Sequence, residues 1–146
     1  MSATYLSLYV HIVFATRDRA PTIDTSWRNE LHAYLGGTIR GLKATPLAVG
    51  GVEDHVHILA GMRSNQCVAD LVRETKKASS DWATQHWHKF GWQAGYGAFS
   101  LSARDRNAVV QYITRQEEHH RTLSSSDELL ALLEEFEVEY DKKYFE

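Results

Sequence analysis

The chain has 146 residues, enough for one domain with a hydrophobic core, and its 43% apolar and 24% charged content is ordinary for a globular protein. No stretch is apolar over the length of a bilayer span, and the first residues lack the pattern of a signal peptide. A single cysteine, Cys67, excludes an internal disulfide framework and a multi-cysteine zinc site, so the expected setting is the reducing cytoplasm, with Cys67 a small buried residue. The net charge of −3 is unevenly spread: residues 1–126 carry 14 Lys and Arg against 11 Asp and Glu, whereas the tail, 127–146, carries 2 against 8. A mildly basic body with an acidic tail is compatible with a nucleic-acid partner, because phosphate binding needs a local basic patch rather than a basic protein.

The chain opens with an alternating segment, residues 5–16, in which Leu6, Leu8, Val10, Ile12 and Phe14 share one face while Tyr5, Ser7, Tyr9 and His11 share the other; this predicts a strand. Trp27, Leu31, Tyr34 or Leu35, and Ile39 recur at helical spacing and predict a helix over about 26–40, ended at Gly41. Residues 45–52 read as a second strand with a bend at Gly50-Gly51, and 55–62 as a third. Val68, Leu71, Val72, Thr75, Ser79 and Trp82 mark a second helix, about 66–88. A short fourth strand follows over 96–101. Ser102-Ala103-Arg104-Asp105 reads as a capping box that starts a third helix running to about Leu123, and the leucines from 129 to 133 with Phe136 give a last short helix.

The order β-α-β-β-α-β, then helices, predicts an α+β, ferredoxin-like (RRM-like) single domain over 1–146, with helices on one sheet face and the other left for a ligand or partner. That fold hosts many functions, so function has to be read from sites.

Two constellations carry chemistry. In Asp54-His55-Val56-His57-Ile58-Leu59 the two histidines are two apart on a strand, so both imidazoles project from one face while Val56 and Ile58 enter the core. Side-by-side imidazoles make half of a metal site. On the third helix Tyr112 and Gln116 are four apart and share a face. His55, His57 and the Gln116 amide oxygen would be three neutral ligands that leave a divalent cation's charge free to act on a phosphate, with Tyr112 as nucleophile one helical turn away. Each pair alone is more simply read as sheet-face histidines or an amphipathic-helix tyrosine; it is the combination that has chemical sense. No G-x-x-x-x-G-K-[ST] phosphate loop is present, so no nucleotide cofactor is expected.

On these residues, together with the opening segment His11 to Arg19, the helix Ala69 to Ser80 and the stretch Trp92 to Ser100, the chain resembles the HUH single-strand transposases with one catalytic tyrosine, of the insertion-sequence-200/605 type. The resemblance covers nearly the whole length. It implies cutting and rejoining of single-stranded DNA through a 5′-phosphotyrosine on Tyr112, with His55, His57 and Gln116 as ligands of Mg²⁺ or Mn²⁺. It implies recognition of hairpins at element ends. It also implies a homodimer in which the third helix of one subunit meets the histidines of the other.

Arg73, Lys76 and Lys77, three and four apart on the second helix, are candidate DNA-backbone contacts, as is Arg17; a solvated helix face is the plainer reading. Arg19 and Lys43 are weaker candidates. His11 is expected beside the metal histidines if the first and third strands pair, and His119 and His120 follow Gln116 closely enough to lie near its face. Trp82, Trp87 and Trp92 are expected in the core or an interface rather than stacked on bases. The alternatives are a non-catalytic or domesticated single-stranded nucleic-acid-binding protein on the same fold, which the presence of Tyr112, Gln116, His55 and His57 opposes, and a His-x-His zinc hydrolase, for whose barrel the chain is too short.

Overall fold

In the computed structural model, which describes residues 3–145, four antiparallel strands form one sheet in the order β2-β3-β1-β4. Strand β1 is Tyr9–Ala15, β2 Thr45–Gly51, β3 His55–Gly61 and β4 Gly97–Leu101. Helices α1 (Thr25–Gly41) and α2 (Val68–Ala83) are the crossovers of the split βαβ unit. The α+β, ferredoxin-like architecture read from the sequence is the one observed. Among the described residues no helix is long and apolar enough to cross a membrane.

The alternation of β1 builds two layers. Ile12 and Phe14 join Val56, Ile58 and Ala60 of β3 against Trp27, Leu31, Leu35 and Ile39 of α1 and Leu71 and Val72 of α2. Each such side chain, fully buried, contributes about 1.5–3 kcal/mol, so this layer carries most of the fold's stability. The Asp24 carboxylate caps α1 by accepting from the Ser26 amide. Strand β1 is shorter than expected: Leu6 and Leu8 are exposed and lie before the paired residues. Helix α2 also stops early, at Ala83, and Trp87 beyond it is exposed, whereas Trp92 is buried and donates from Nε1 to Ser79 Oγ at 2.9 Å. Cys67, expected in the core, is exposed and receives the Asp70 amide at the start of α2.

The second sheet face is not open. It is covered by α3 (Arg106–Thr114), the short α4 (Gln116–His119) and α5 (Ser125–Glu135). The single helix expected from Ser102 to Leu123 is thus two: the backbone leaves helical geometry at Arg115 (φ −106°, ψ 26°). The capping box does not form, because residues 103–105 make a turn and α3 starts only at Arg106. Gly50 and Gly51 do not bend the chain but stay in β2. A Cβ on Gly50 would stand 2.1 Å from the Ile113 carbonyl oxygen, so this glycine lets α3 dock on its own chain's sheet. Arg28 adds a second tie, donating to Glu117 of α4 at 2.9 Å and to the Ile23 carbonyl from α1. Helix α5 is seated by Leu132, Leu129 and Leu133 on Val13 and Phe99.

Candidate metal centre and nucleophile

Strand pairing sets the site. Val13 of β1 lies opposite His57 of β3, and His11 opposite Leu59, so His11 and His57 are diagonal neighbours on the face turned to α3–α5. His55 and His57 project together, as their two-residue spacing requires, and both are buried. From the other side α3 and α4 bring Tyr112 and Gln116. Helix α5 brings Glu128, which lies four residues before Leu132 and so shares its inward stripe.

Glu128 is the hub, only 2% exposed. Its Oε1 stands 2.9 Å from His57 Nε2, 3.1 Å from His55 Nε2 and 3.1 Å from His120 Nε2. Its Oε2 accepts from the Tyr112 hydroxyl and, at 3.0 Å, from Gln116 Nε2. The Gln116 amide oxygen faces His55 Nε2 at 3.3 Å and His120 Nε2 at 3.1 Å. Behind these groups His55 Nδ1 meets Asp54 Oδ1 at 2.8 Å, and Ser125 donates to that same oxygen at 2.9 Å. His11 Nε2 lies 2.8 Å from His57 Nδ1. With both rings neutral, His11 donates to His57 and His57 to the Glu128 carboxylate, which satisfies both contacts at once.

The charges follow from burial and partners. Burial disfavours a charged His55, but its hydrogen bonds to Asp54 and Glu128, with their charges, outweigh this and raise it to about 9. Burial lowers His57, against the pull of Glu128, and lowers His11 to about 3, helped by His57. Burial would raise Glu128, yet hydrogen bonds from His55 and His57 hold it far below the ordinary carboxyl range. Burial and then the Glu128 carboxylate push Tyr112 well above the ordinary phenol range. One consequence is measurable in chelator-treated protein. His55 is raised on folding, so its stabilisation is complete below about pH 6.5 and is lost as the pH rises through about 9; His11 and His57, buried neutral, act only below that window. Thermal melts should therefore show stability falling between about pH 6.5 and 9, by on the order of 3 kcal/mol. A flat profile there would mean that His55 does not carry its proton in the folded chain.

His55, His57 and Glu128 offer three ligand atoms within 4.8 Å of one another, a group able to hold a metal ion. Donors around a small divalent ion with bonds of about 2.1 Å lie about 3 Å apart along an octahedral edge, close to the separations of Glu128 Oε1 from His57 Nε2 and His55 Nε2, 2.9 and 3.1 Å, and of His55 Nε2 from the Gln116 amide oxygen, 3.3 Å. The donor set therefore fits such an ion. It is not all neutral, however: the sequence reading missed Glu128 and with it one compensating negative charge.

Of the residues singled out in the sequence, His55, His57, Tyr112 and Gln116 meet in one chain, and His11 and His120 join them. His119 packs its ring on Tyr112, 4.6 Å between centroids. Within this one chain Tyr112 stands 5.7 Å in ring centroids from its own His57. Of the basic candidates, Arg73, Lys76, Lys77 and Arg17 lie elsewhere. Arg73 is exposed and paired with Asp70 and Glu74, and Lys77 is exposed on α2. Lys76 is committed to the fold: its ammonium binds the carbonyls of Gln93 and Gly95 and lies over the Phe14 ring. Arg17 packs against Gly91. A signal for the missed Glu128 existed: it interrupts an apolar helical stripe.

Comparison with known proteins gives a family and a fold. The family described as IS200-like transposase matches residues 4–116. A crystal structure from Deinococcus radiodurans R1, described as that of a transposase, aligns over 77% of this chain and 93% of its own with a TM-score of 0.64 at 22% identity. A REP-associated tyrosine transposase bound to a REP hairpin aligns over 77% of this chain and 68% of its own, with a TM-score of 0.57 at 16% identity. At these identities the two likenesses carry the fold alone. No curated protein matches the chain.

Proposed function

Since the chain belongs to the family of IS200-like transposases, we propose that it cuts and rejoins single-stranded DNA through Tyr112 at a site where His55 and His57, with Gln116 and Glu128 as further donors, hold Mg²⁺ or Mn²⁺. The observation that carries this reading is the meeting of Tyr112 with the two histidines at one buried carboxylate, from three separate parts of the chain.

In the proposed step the Tyr112 oxygen attacks a backbone phosphorus. A Tyr112–phosphate bond forms, the bond to the 3′ oxygen breaks, the phenol proton passes to the Glu128 carboxylate it faces, and the departing 3′ oxygen takes up a proton from solvent to leave as a hydroxyl. A second strand's 3′ hydroxyl reverses the same exchange, so rejoining needs no nucleotide. A divalent cation held there would act as a Lewis acid on the scissile phosphate and offset the Glu128 charge that holds Tyr112 protonated. Glu128 and Gln116 fix the phenol's direction, and Asp54, Ser125 and His11 orient the two histidines from behind. The homodimer expected from the resemblance is proposed with each site made of one chain's residues, because Gly50 and Arg28 tie α3 and α4 to their own sheet. Cytoplasmic action is part of the same proposal. Arg73 and Lys77 remain proposed DNA-backbone contacts, with Arg17 and Lys76 acting chiefly on the fold.

Incubation with single-stranded DNA from the flanks of its own gene tests the reading. A covalent protein–DNA adduct is expected with Mg²⁺ or Mn²⁺, none with chelator, and little on the same DNA fully paired, where the bases are stacked and paired and the strand cannot be bound as a single strand. Equal cleavage in chelator, or on plain duplex, would contradict it.

A further inference from the structure

Resting on that reading, we propose that the cleft between α5 and the 93–97 loop is a subsite for one unpaired nucleobase next to the scissile phosphate. The cleft holds about 290 Å³, at the small end of ligand cavities, which run from about 300 Å³ upward, so it suits one flat group rather than a longer stretch of strand. His55 and Glu128 line it, which makes it continuous with the metal centre. Its apolar walls include Leu129 and Leu133 of α5, and Tyr96, Gln93 and Arg19 complete the chemistry.

Each of these groups suits a nucleotide. Tyr96 is 44% exposed although aromatic, the state of a stacking platform without its base. Its loop is fixed: Lys76 binds the carbonyls of Gln93 and Gly95, and Gly95 takes a positive φ of 89° that turns the chain to present Tyr96. Gln93 brings an amide suited to a base edge, and Arg19 a cation for the adjoining phosphate. Arg19 is held at a cost. It and Asp18 both adopt left-handed backbone conformations, φ 52° and 58°, and the Asp18 amide donates to Gln93 Oε1 at 3.0 Å, stitching the two loops together. Strain of this kind persists where the surroundings impose it, which is commonly at ligand sites. The α5 wall lies beyond residue 116, where the family match ends.

The test measures binding with Tyr112→Phe as the background, so that it does not depend on strand cleavage. The probe is a single-stranded oligonucleotide from the flank of the chain's own gene, carrying one abasic position walked along its length. We expect one position whose abasic form binds about tenfold more weakly, the scale of one base–aromatic stack. Tyr96→Ala, in an exposed loop, and Leu133→Trp, which fills the cleft, should each weaken the intact strand by a similar factor and lose sensitivity to that position. No sensitive position, or a sensitivity that survives in both folded variants, would overturn the subsite. If base-dependent binding behaves as expected while the wild-type protein forms no adduct, the strand-transfer reading fails and the subsite stands.

Discussion

Replacing Tyr112 by phenylalanine should abolish the covalent adduct while leaving the fold intact. The substitution removes one oxygen from a half-buried ring. Glu128 keeps its partners His55, His57 and Gln116, so the loss is one hydrogen bond to a charged group, about 1.5–3 kcal/mol, and the melting temperature should fall by a few degrees with folding preserved. Two neighbours cannot replace the phenol as nucleophile without moving: His57 faces Glu128 and His11 through its two nitrogens, and His120 uses Nδ1 toward the Leu123 carbonyl at 2.6 Å. Adduct formation by gel shift under denaturing conditions should therefore fall to background. Retention of a tenth or more of the wild-type adduct would mean another residue attacks.

Glu128→Ala should have the largest effect on stability. It removes the carboxylate that His55, His57, Gln116, His120 and Tyr112 all face, and leaves a protonated, buried His55 with Asp54 alone. Breaking a buried ion pair from one side typically costs 3–5 kcal/mol, and about 3 kcal/mol is expected here in chelator. Glu128→Gln keeps the volume and some of the hydrogen bonds, so it should lie between. The cation concentration needed for half-maximal adduct should rise about tenfold or more in both, as for lost groups around a metal site. Denaturant melts and a cation titration check the two effects. Wild-type values in both would show that α5 does not close the site. The same geometry warns against His55→Ala,His57→Ala as a clean control. Both rings are buried against that carboxylate, so the double variant loses stability as well as its proposed ligands.

Much of this was legible beforehand for identifiable reasons. Strand alternation fixed which face of β3 holds His55 and His57, and helical spacing put Tyr112 beside Gln116. The second layer was not legible, because it depends on contacts distant in sequence. Gly50 reads locally as a turn residue, but here it admits the Ile113 carbonyl. The acidic tail reads as a solvated surface from composition, yet one of its carboxylates stands among three imidazoles. Its place on the same stripe as Leu132 distinguishes Glu128 from Glu134, which is exposed, while Glu135, on that stripe too, stands at the exposed end of α5. Lys76 was misjudged for the opposite reason: its spacing matches Arg73 and Lys77, but the 93–97 loop, remote in sequence, captures its ammonium.

The central claim is that Tyr112 itself takes the phosphate. Digestion of the adduct formed with Mg²⁺ on single-stranded flanking DNA, followed by peptide mass spectrometry, tests it most directly. The account predicts a nucleotide 5′-phosphate on the peptide containing Tyr112 and on that residue alone. A phosphate carried by another side chain, or cut strands with no covalent intermediate on any peptide, would contradict it.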